Sequence, residues 1–470
     1  MRSIVSSKSS DTTLIHDAEV PYGDASVRLS DGMDDDAKKS LGQGSAQLAN
    51  CSAKGLPELL APAGGRDQLV AAIRFGANAV YLATDQFGMR QRAGNFSLDE
   101  IPHVVAYAHE RHVAVHVTCN IQMHNADIDQ LPTYLQALDE AGIDALIVSD
   151  LGAFRMAKRY APHVALHVST QASVSNAEAA CAWYDLGASR IICAREMSLA
   201  EIAELRKRIP NDLQIEVFVH GSMCMAVSGR CLISDYLTDR SATNGNCTQP
   251  CRWSYTLEEE TRPGMHMPVV EGDRGSYILN AKDLNMIEHL DDLRRAGVDS
   301  IKIEGRNKKA FYVASVVNAY RQVLDGADPA WGKRELDTVS HRPYGTGFYY
   351  GRAQQTPDSD DYIRTYTWAA EVVSCSPVPS DSDVLPKISD AASLTYEARV
   401  LCRNRFEEGD HLEVVSPHRP IHMIEVHGLR YIADDGGSPY HVTTANRPME
   451  SYSLRIAEPL LPGDLLRKQQ

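Results

Sequence analysis

The chain has 470 residues, 43% of them apolar and 23% charged, which is long enough for two or three domains of roughly 100 to 200 residues each. It carries 47 Lys and Arg against 62 Asp and Glu, and the net charge of −15 argues against a protein that coats nucleic acid through bulk positive charge. No apolar stretch approaches the roughly 18 to 20 residues that a membrane span needs, and the N-terminus is polar where a signal peptide would be apolar. The sequence therefore predicts a cytoplasmic protein that binds neither membrane nor DNA and keeps its ten cysteines reduced.

The first two segments differ sharply in composition. Residues 1–55 are rich in Ser, Asp, Gly and Lys and predict a disordered tail. Residues 56–342 alternate short apolar runs with longer amphipathic windows, which is typical of parallel α/β folds. The strand-like runs are 58–61, 79–82, 113–117, 145–148, 165–168, 190–193, 215–219, 277–280 and 300–303. We expect a TIM-like (β/α) barrel, with one of these nine runs outside its eight strands. An open doubly wound sheet is the alternative, but no Gly-x-Gly-x-x-Gly motif follows the first run.

The composition and the apolar pattern of the sequence change after residue 342. Residues 343–390 contain a Gly-aromatic stretch and a segment rich in Pro, Ser and Asp, which we predict to be a hinge and linker. Residues 391–470 contain short β-type segments separated by turn residues, at 396–402, 411–415, 422–426 and 453–456. This region predicts a small C-terminal antiparallel β-barrel domain.

Four of the ten cysteines lie in a predicted insertion, residues 221–255. They follow the pattern Cys-x6-Cys-x15-Cys-x3-Cys and are Cys224, Cys231, Cys247 and Cys251. The insertion begins after the 215–219 run, at the mouth where barrel enzymes place their sites. Four thiolates suit either Zn²⁺ or an iron–sulfur cluster. Neither close pair has the Cys-x2-Cys spacing of zinc knuckles, which favours the iron–sulfur cluster, and unligated thiols are the third alternative. The six scattered cysteines are best interpreted as inert thiols.

Several motifs resemble those of peptidase family U32. They are EVFVHGSMC at 216–224, GRCLIS at 229–234, ELLAPAG at 58–64, IVSDLG at 147–152, KDL at 282–284 and IKIEGR at 301–306. The resemblance covers about residues 57–465, and the motifs taken together are highly specific. The tail before residue 56 has no counterpart in the family.

Despite the family's name, the resemblance implies oxygen-independent hydroxylation by proteins that carry a [4Fe–4S] cluster on four such cysteines. One branch forms 5-hydroxyuridine at the wobble position of tRNA, another hydroxylates a cytidine in 23S ribosomal RNA, and a shorter branch serves ubiquinone synthesis. A single barrel followed by a compact β domain is similar to the tRNA branch. The resemblance thus implies tRNA, at its anticodon loop, as the partner, and prephenate as a co-substrate.

Three charged residues, Lys302, Glu304 and Arg306, alternate along one strand and its exit, so they can share a face toward the barrel interior. Charges that face inward are costly unless they are paired or bind something. We therefore predict that Lys302 and Glu304 are catalytic and manage protons, and that Arg306 binds substrate. A structural ion network is the alternative. His220, directly before the cysteine segment, is a third catalytic candidate, as proton donor or phosphate contact, and a hydrogen-bonded structural role is its alternative.

Other candidate substrate-binding residues follow the ends of other strands. They are Asn120 and Gln171 at the predicted rim, Lys282 and Asp283 after the 277–280 run, and Arg90 and Arg92 in the loop 88–96. Gln171 is suited to contact a base edge. The two loop arginines suit a phosphate or a dicarboxylate such as prephenate, through charge-assisted hydrogen bonds. For these residues, loop capping or a solvated surface position is the alternative.

A peptidase is the alternative from another functional class. Ser222 lacks the Gly-x-Ser-x-Gly elbow, and the sequence contains no His-Glu-x-x-His zinc motif. An RNA-binding or scaffold protein with a structural cluster is a further alternative. The sequence as a whole favours hydroxylation of a flipped-out wobble uridine at C5, with the C-terminal domain holding tRNA by shape and phosphate contacts.

Overall fold

The computed structural model describes residues 55–89, 94–223, 233–240, 242, 246–250, 253, 256–258, 266–268, 281–354, 362–378, 396–433 and 438–470. All of these residues belong to one unit of the chain, Gln43–Gln470. The predicted tail over 1–55 lies outside the described residues, apart from Gly55. Within the described ranges we find no helix with the length and apolar character that crossing a membrane requires.

Eight parallel strands close into a barrel. The strands of this half of the chain are β1 (Glu58–Pro62), β2 (Ala79–Leu82), β3 (Ala114–Cys119), β4 (Ala145–Val148), β5 (Ala165–Val168), β6 (Arg190–Ile192), β7 (Gln214–Gly221), β8 (Thr256–Glu258), β9 (His266–Pro268), β10 (Asp283–Asn285), β11 (Ser300–Ile303) and β12 (Tyr344–Gly345). From β1 to β7 each strand pairs with the next, and β11 pairs with both β7 and β1. The TIM-like barrel predicted from the sequence is confirmed.

Helices alternate with the barrel strands. They are α1 (Arg66–Arg74), α2 (Ile101–His109), α3 (Asn125–Glu140), α4 (Leu151–Tyr160), α5 (Ala177–Asp185), α6 (Leu199–Arg208), α7 (Ile233–Thr238), α8 (Leu290–Arg295), α9 (Ala310–Leu324) and α10 (Pro329–Leu336). Several begin where a short polar side chain accepts a hydrogen bond from the first turn: Asp150 from the Ala153 N–H, Asn176 from Ala179 and Ser198 from Glu201. These three caps begin α4, α5 and α6 directly after the loop that follows the preceding strand.

Eight of the nine predicted strand-like runs become the barrel strands. The ninth, 277–280, lies outside the described residues. Just after it, β10 pairs in antiparallel fashion with the end of β7 and in parallel with β12. This extension lies at the carboxyl end of β7, beside the mouth of the barrel.

The C-terminal domain is an antiparallel sheet. Its strands are β13 (Tyr366–Pro377), β14 (Tyr396–Cys402), β15 (Phe406–Glu407), β16 (His411–Val415), β17 (His422–Glu425), β18 (His427–Ile432), β19 (Tyr440–His441), β20 (Thr444–Ala445), β21 (Ser451–Ile456) and β22 (Leu465–Gln469). Eight of them pair in the order β17-β16-β22-β13-β14-β21-β18-β19, while β15 pairs with β20. The predicted antiparallel β architecture is thereby confirmed, as a half-barrel over the described strands.

The segment predicted as hinge and linker, 343–390, contains two strands, which corrects that boundary. β12 belongs to the barrel extension, and β13 is a central strand of the C-terminal sheet, between β22 and β14. Ala370 and Val372 on β13 are buried in the core of that sheet. Because small side chains and a β-bulge interrupt the alternation along β13, the strand lacks the strong period-2 signal on which sequence assignment depends.

The sheet is held against the barrel by buried contacts. Arg467 of β22 donates to both carboxylate oxygens of Glu335 on α10, at 2.9 and 3.0 Å. The ring of Trp368 stacks on Phe311 of α9 with centroids 6.0 Å apart. Val415 and Leu465 of the sheet belong to the barrel's hydrophobic core. The two regions thus share a packed boundary.

Candidate active site at the barrel mouth

A chain of buried ion pairs crosses the barrel interior. Arg190 of β6 donates to both carboxylate oxygens of Glu58 on β1, at 2.6 and 3.2 Å, and to Glu216 on β7 at 3.0 Å. The other oxygen of Glu216 accepts from Lys302 Nζ on β11 at 2.9 Å. Ser300 donates to Glu58 at 2.9 Å. Each of these side chains is buried, so two cations and two carboxylates neutralise one another out of reach of water.

The electrostatics of this network follow from burial and pairing. Burial by itself would raise the pKa of Glu58, but the opposing charge and hydrogen bonds of Arg190 lower it to about 2. Burial lowers the pKa of Lys302, and Glu216 partly offsets that shift. Burial also lowers the pKa of His116 and His167, whose rings meet edge to face at 4.9 Å. Both imidazoles are therefore neutral. The charge balance of the interior rests on Arg190 and Lys302, which pair with Glu58 and Glu216.

Lys302 forms the end of this network that lies toward the barrel mouth. Its Nζ lies 4.3 Å from the ring centroid of Tyr81 and 5.4 Å from that of Phe218. Two aromatic faces and one carboxylate thus surround the ammonium group below the mouth of the barrel. The predicted inward orientation of Lys302 is observed, and so is a structural ion network, which was its alternative.

Arg306, Asn120 and Gln171 meet at one residue, Met89. Arg306 Nη2 donates to the carbonyl of Met89, while Asn120 Oδ1 accepts from the Met89 N–H at 3.3 Å. Gln171 Nε2 contacts the Met89 sulfur. Three predicted binding residues from three different loops therefore converge over the barrel. Met89 belongs to the predicted basic loop 88–96, whose Arg90 and Arg92 lie outside the described residues.

The approach of Arg306 to the first strand requires a glycine at position 64. A Cβ at Gly64 would lie only 1.8 Å from the carbonyl oxygen of Arg306. The guanidinium of Arg306 is buried and its Nη1 lies 3.4 Å from the hydroxyl of Thr118. The backbone packing thus places this cation above Lys302 at the carboxyl ends of the strands.

Glu304 lies on the other side of the mouth, where Arg195 joins it to the start of the cysteine segment. Arg195 Nη2 lies 3.4 Å from Glu304 Oε2, and Arg195 Nη1 donates to the carbonyl of Ser222 at 3.1 Å. The guanidinium also lies 3.8 Å from the ring centroid of Phe218. The side chain of Glu304 is 15% exposed, in contrast to the buried Glu216. Glu304 is therefore a carboxylate that a ligand at the mouth can reach.

His220 points away from the barrel interior. The pairing of β7 with β11 contains a β-bulge, since Lys302 lies opposite Phe218 but Ile303 lies opposite His220. The imidazole packs against Tyr312 and Tyr320 of α9, with centroids 6.0 and 5.6 Å away.

Burial, followed by nearby positive charge, lowers the pKa of His220 to about 3. Neither of its ring nitrogens has a hydrogen-bond partner in the described part of the chain. This position favours a neutral, structural imidazole over the predicted proton donor or phosphate contact.

Lys282 and Asp283 anchor the segment around β12. Lys282 Nζ donates to the side chain of Gln354 at 2.6 Å. The buried carboxylate of Asp283 accepts from the Arg342 N–H at 3.1 Å. In the same segment, Tyr349 donates to the carbonyl of Phe218 at 2.5 Å. These contacts match the loop-holding alternative for Lys282 and Asp283, away from Lys302.

Of the four predicted metal ligands, the structure describes Cys247 alone. Its half-buried sulfur accepts a hydrogen bond from the Gln249 N–H at 3.3 Å. Cys224, Cys231 and Cys251 lie outside the described residues, and the described residues alone contain no group of three potential metal ligands. The cluster therefore stays a prediction. Burial raises the pKa of Cys119 and Cys193 to about 12, as expected of inert thiols.

Comparison with known proteins identifies the family. The model of peptidase family U32 matches residues 64–359, and the model of the U32 C-terminal domain matches residues 381–467. The chain belongs to peptidase family U32. The two matched regions include the barrel after its first strand and most of the C-terminal sheet, so the family covers both parts of the fold.

Three relatives of the chain carry different names. The chain is 34% identical to tRNA hydroxylation protein P1 of Bacillus subtilis, over 88% of this chain and 94% of the relative. It is 38% identical to the 23S rRNA 5-hydroxycytidine C2501 synthase of Escherichia coli, over 57% of this chain and 39% of the relative. It is also 32% identical to a collagenase of Porphyromonas gingivalis, over 63% of this chain and 74% of the relative.

Sequence reasoning missed four residues of this U32 site: Glu58, Arg190, Arg195 and Glu216. Glu58, Arg190 and Glu216 could have been found from the sequence, because each is a charged residue within an otherwise apolar strand. A charge in a buried strand must be paired. Arg195 had no such signal, because it lies in the loop after β6 and only the fold brings it to Glu304.

Proposed function

We propose that this protein hydroxylates tRNA and forms 5-hydroxyuridine at the wobble uridine. The observation that carries the proposal is the similarity to tRNA hydroxylation protein P1, which extends over 94% of that relative and includes both the barrel and the C-terminal domain. The similarity to the ribosomal RNA hydroxycytidine synthase covers only 39% of that protein. The domain arrangement therefore favours tRNA over ribosomal RNA as substrate.

The mouth of the barrel supports this proposal because it combines polar recognition with buried charge. A uracil extruded from the anticodon loop would enter beside Arg306, Gln171 and Asn120, whose side chains can bond its carbonyl and imide groups. Glu304 is the accessible carboxylate there, and Lys302 lies below it within the aromatic enclosure. In the proposed mechanism these two groups hold and transfer protons near C5, while Arg195 orients Glu304.

The cofactor in this proposal is a [4Fe–4S] cluster on Cys224, Cys231, Cys247 and Cys251, and its chemistry is electron transfer. Support comes from the spacing of the four cysteines and from the half-buried Cys247 thiol. The chain leaves β7 at Gly221 toward Cys224, so the first ligand follows the mouth by three residues.

Prephenate is the proposed co-substrate. Its two carboxylates suit the guanidinium groups at the mouth, of which Arg306 and Arg195 are described. The predicted basic loop 88–96, with Arg90 and Arg92, contains Met89, whose carbonyl accepts from Arg306.

Nucleoside analysis tests the proposal. The gene is expressed in a bacterial strain that lacks its own tRNA hydroxylation proteins, and tRNA nucleosides are measured by mass spectrometry. Wild type should restore 5-hydroxyuridine derivatives, and Cys247→Ser should not, whereas Cys181→Ser, outside the cysteine insertion, should behave as wild type. The same expression is repeated in a strain that lacks its 23S rRNA hydroxycytidine synthase. Restored 5-hydroxycytidine in that strain, with no 5-hydroxyuridine in the first, would move the assignment to ribosomal RNA.

The cofactor is measured separately on protein purified without oxygen. Iron and sulfide should be present in equal amounts and decrease in Cys247→Ser. Stoichiometric zinc without iron would contradict the iron–sulfur cluster. The nucleoside result would still test the tRNA function independently of the cofactor.

The collagenase relative makes a peptidase the second candidate. A serine peptidase needs a base that is hydrogen-bonded to its nucleophile. Ser222 has no such partner in His220, because the imidazole turns toward α9 and its nitrogens bond no described residue. We expect purified protein to leave denatured collagen intact. Cleavage that Ser222→Ala abolishes would contradict this expectation.

A further inference from the structure

One face of the C-terminal sheet carries a row of basic and hydroxyl side chains. The strand register places Ser374 of β13 opposite Arg399 of β14, and Arg399 opposite Ser453 of β21. Ser453 lies opposite Arg430 of β18, which lies opposite His441 of β19. Five adjacent strands thus each contribute one side chain to a continuous row without an acidic residue.

This row lies on the side of the sheet that faces away from its core. The neighbouring residues Val400, Leu454 and Leu429 are buried in that core, so the residues that alternate with them point to the opposite face. Arg399 and His441 are exposed, and Arg430 is partly exposed. Arg399 donates to the hydroxyl of Ser451 at 3.1 Å, which lays its guanidinium across the sheet.

The adjacent row holds one arginine, one histidine and one acidic residue. Glu397, Arg455 and His427 lie opposite one another on β14, β21 and β18. Arg455 Nη2 is 4.0 Å from the carboxylate of Glu397, and Arg455 Nη1 is buried with no hydrogen-bond partner in the described ranges. We name Arg399, Arg430, Arg455, His427 and His441 the basic face.

We propose that the basic face binds the sugar–phosphate backbone of the tRNA substrate, an inference that rests on the proposed function. Guanidinium groups and hydroxyls donate hydrogen bonds to phosphate oxygens, and the rows present Arg399, Arg430 and the exposed Ser374 on a pleated surface, while Ser453 between the two arginines is buried. The net charge of the chain is −15, whereas the two rows hold three arginines against Glu397, with Glu425 paired to His427 at 3.4 Å beside them. Contacts of this kind position an RNA without reading its sequence, which leaves recognition of the uridine to the barrel mouth.

Binding of an unmodified tRNA transcript tests the basic face. The dissociation constant is measured for wild type and for the double variant Arg399→Gln/Arg430→Gln at several concentrations between about 50 and 200 mM salt. Loss of two phosphate contacts should weaken binding about tenfold and reduce the slope of log K against log salt by about one to two. The matched control is Arg405→Gln, an exposed arginine outside this sheet that pairs with Glu407, and it should bind as wild type. Thermal unfolding should show that all three proteins fold alike.

The outcomes separate the basic face from the proposed function. If wild type binds tRNA and forms 5-hydroxyuridine while the double variant binds equally well with the same salt slope, the basic face is refuted and the function stands. If wild type binds tRNA through the basic face but forms no 5-hydroxyuridine, the face stands and the function fails. If wild type does not bind tRNA, or binds anionic phosphatidylserine vesicles through these arginines instead, the proposal for this face is overturned.

Discussion

Two buried arginines in this protein make nearly the same contacts in very different places. Arg190, inside the barrel, bridges Glu58 and Glu216, and Arg467, between the barrel and the sheet, bridges Glu335 and Glu413. Both guanidinium side chains are 2% exposed. The carboxylates differ, because Glu216 is fully buried whereas Glu413 is 21% exposed.

The partners decide what each arginine does. Glu216 also binds Lys302, so the network of Arg190 continues toward the barrel mouth and determines the surroundings of a predicted catalytic amine. The network of Arg467 ends at α10 and β16 and joins two domains. The same chemistry thus supports a site in one region and an interdomain boundary in the other. The two arginines differ in how deeply their acidic partners are buried. A carboxylate that reaches water remains solvated when its cation is removed, whereas a fully buried carboxylate does not.

The largest effect is expected for Arg190→Leu. Removal of the guanidinium leaves Glu58 and Glu216 buried with Lys302 as the one remaining cation of the network, which should lower the free energy of unfolding by about 3 to 5 kcal/mol. Urea denaturation of purified protein measures it. A decrease in the free energy of unfolding below about 1 kcal/mol would show that water reaches the Arg190 network. The proposed difference between the Arg190 and Arg467 networks would then not exist.

Lys302→Met should abolish activity with a smaller effect on stability. Arg190 still bridges Glu58 and Glu216 in this variant, so the fold should persist, while loss of the amine should lower the proposed formation of 5-hydroxyuridine at least about a hundredfold. The readout is the nucleoside content of tRNA from complemented cells. Lys333→Met is the matched control, because Lys333 is an exposed lysine paired with Glu288. Full activity in Lys302→Met would limit Lys302 to the structural network.

Arg467→Leu should lower the free energy of unfolding by about 2 kcal/mol, less than Arg190→Leu, because one of its two carboxylates, Glu413, is already 21% exposed. Limited proteolysis should detect a second effect, faster cleavage between barrel and sheet. Equal losses for the two arginine variants in parallel urea titrations would contradict the comparison.

The smallest expected effect concerns pH and His220. The pKa of His220 is lowered to about 3 from its ordinary value of 6.5, so between these values the unfolded chain binds a proton that the folded chain excludes. This group therefore leaves stability constant above about pH 6.5 and lowers it as the pH falls through that window. His220→Phe, which retains a ring against Tyr312 and Tyr320, should reduce the loss of stability between pH 7.5 and 5 by about 1 to 2 kcal/mol.

The matched control for the pH experiment is His103→Gln, which changes an exposed histidine and should leave the loss of stability as in wild type. An identical pH dependence in wild type and His220→Phe would show that folding does not lower the pKa of the imidazole, which would then titrate in the folded protein as in the unfolded chain. It would then return as a candidate proton donor.

The sequence by itself determined the barrel, the C-terminal β domain and the family, because strand-length apolar runs and local motifs need no knowledge of distant contacts. It also predicted the inward orientation of Lys302, since alternation along a strand is a local property. Only the tertiary structure showed that Lys302 shares Glu216 with Arg190, that a bulge turns His220 outward, and that β13 belongs to the sheet. Each of these depends on which strands become neighbours and in which register. The ion pair of Arg190 with Glu58, for example, joins residues 132 positions apart.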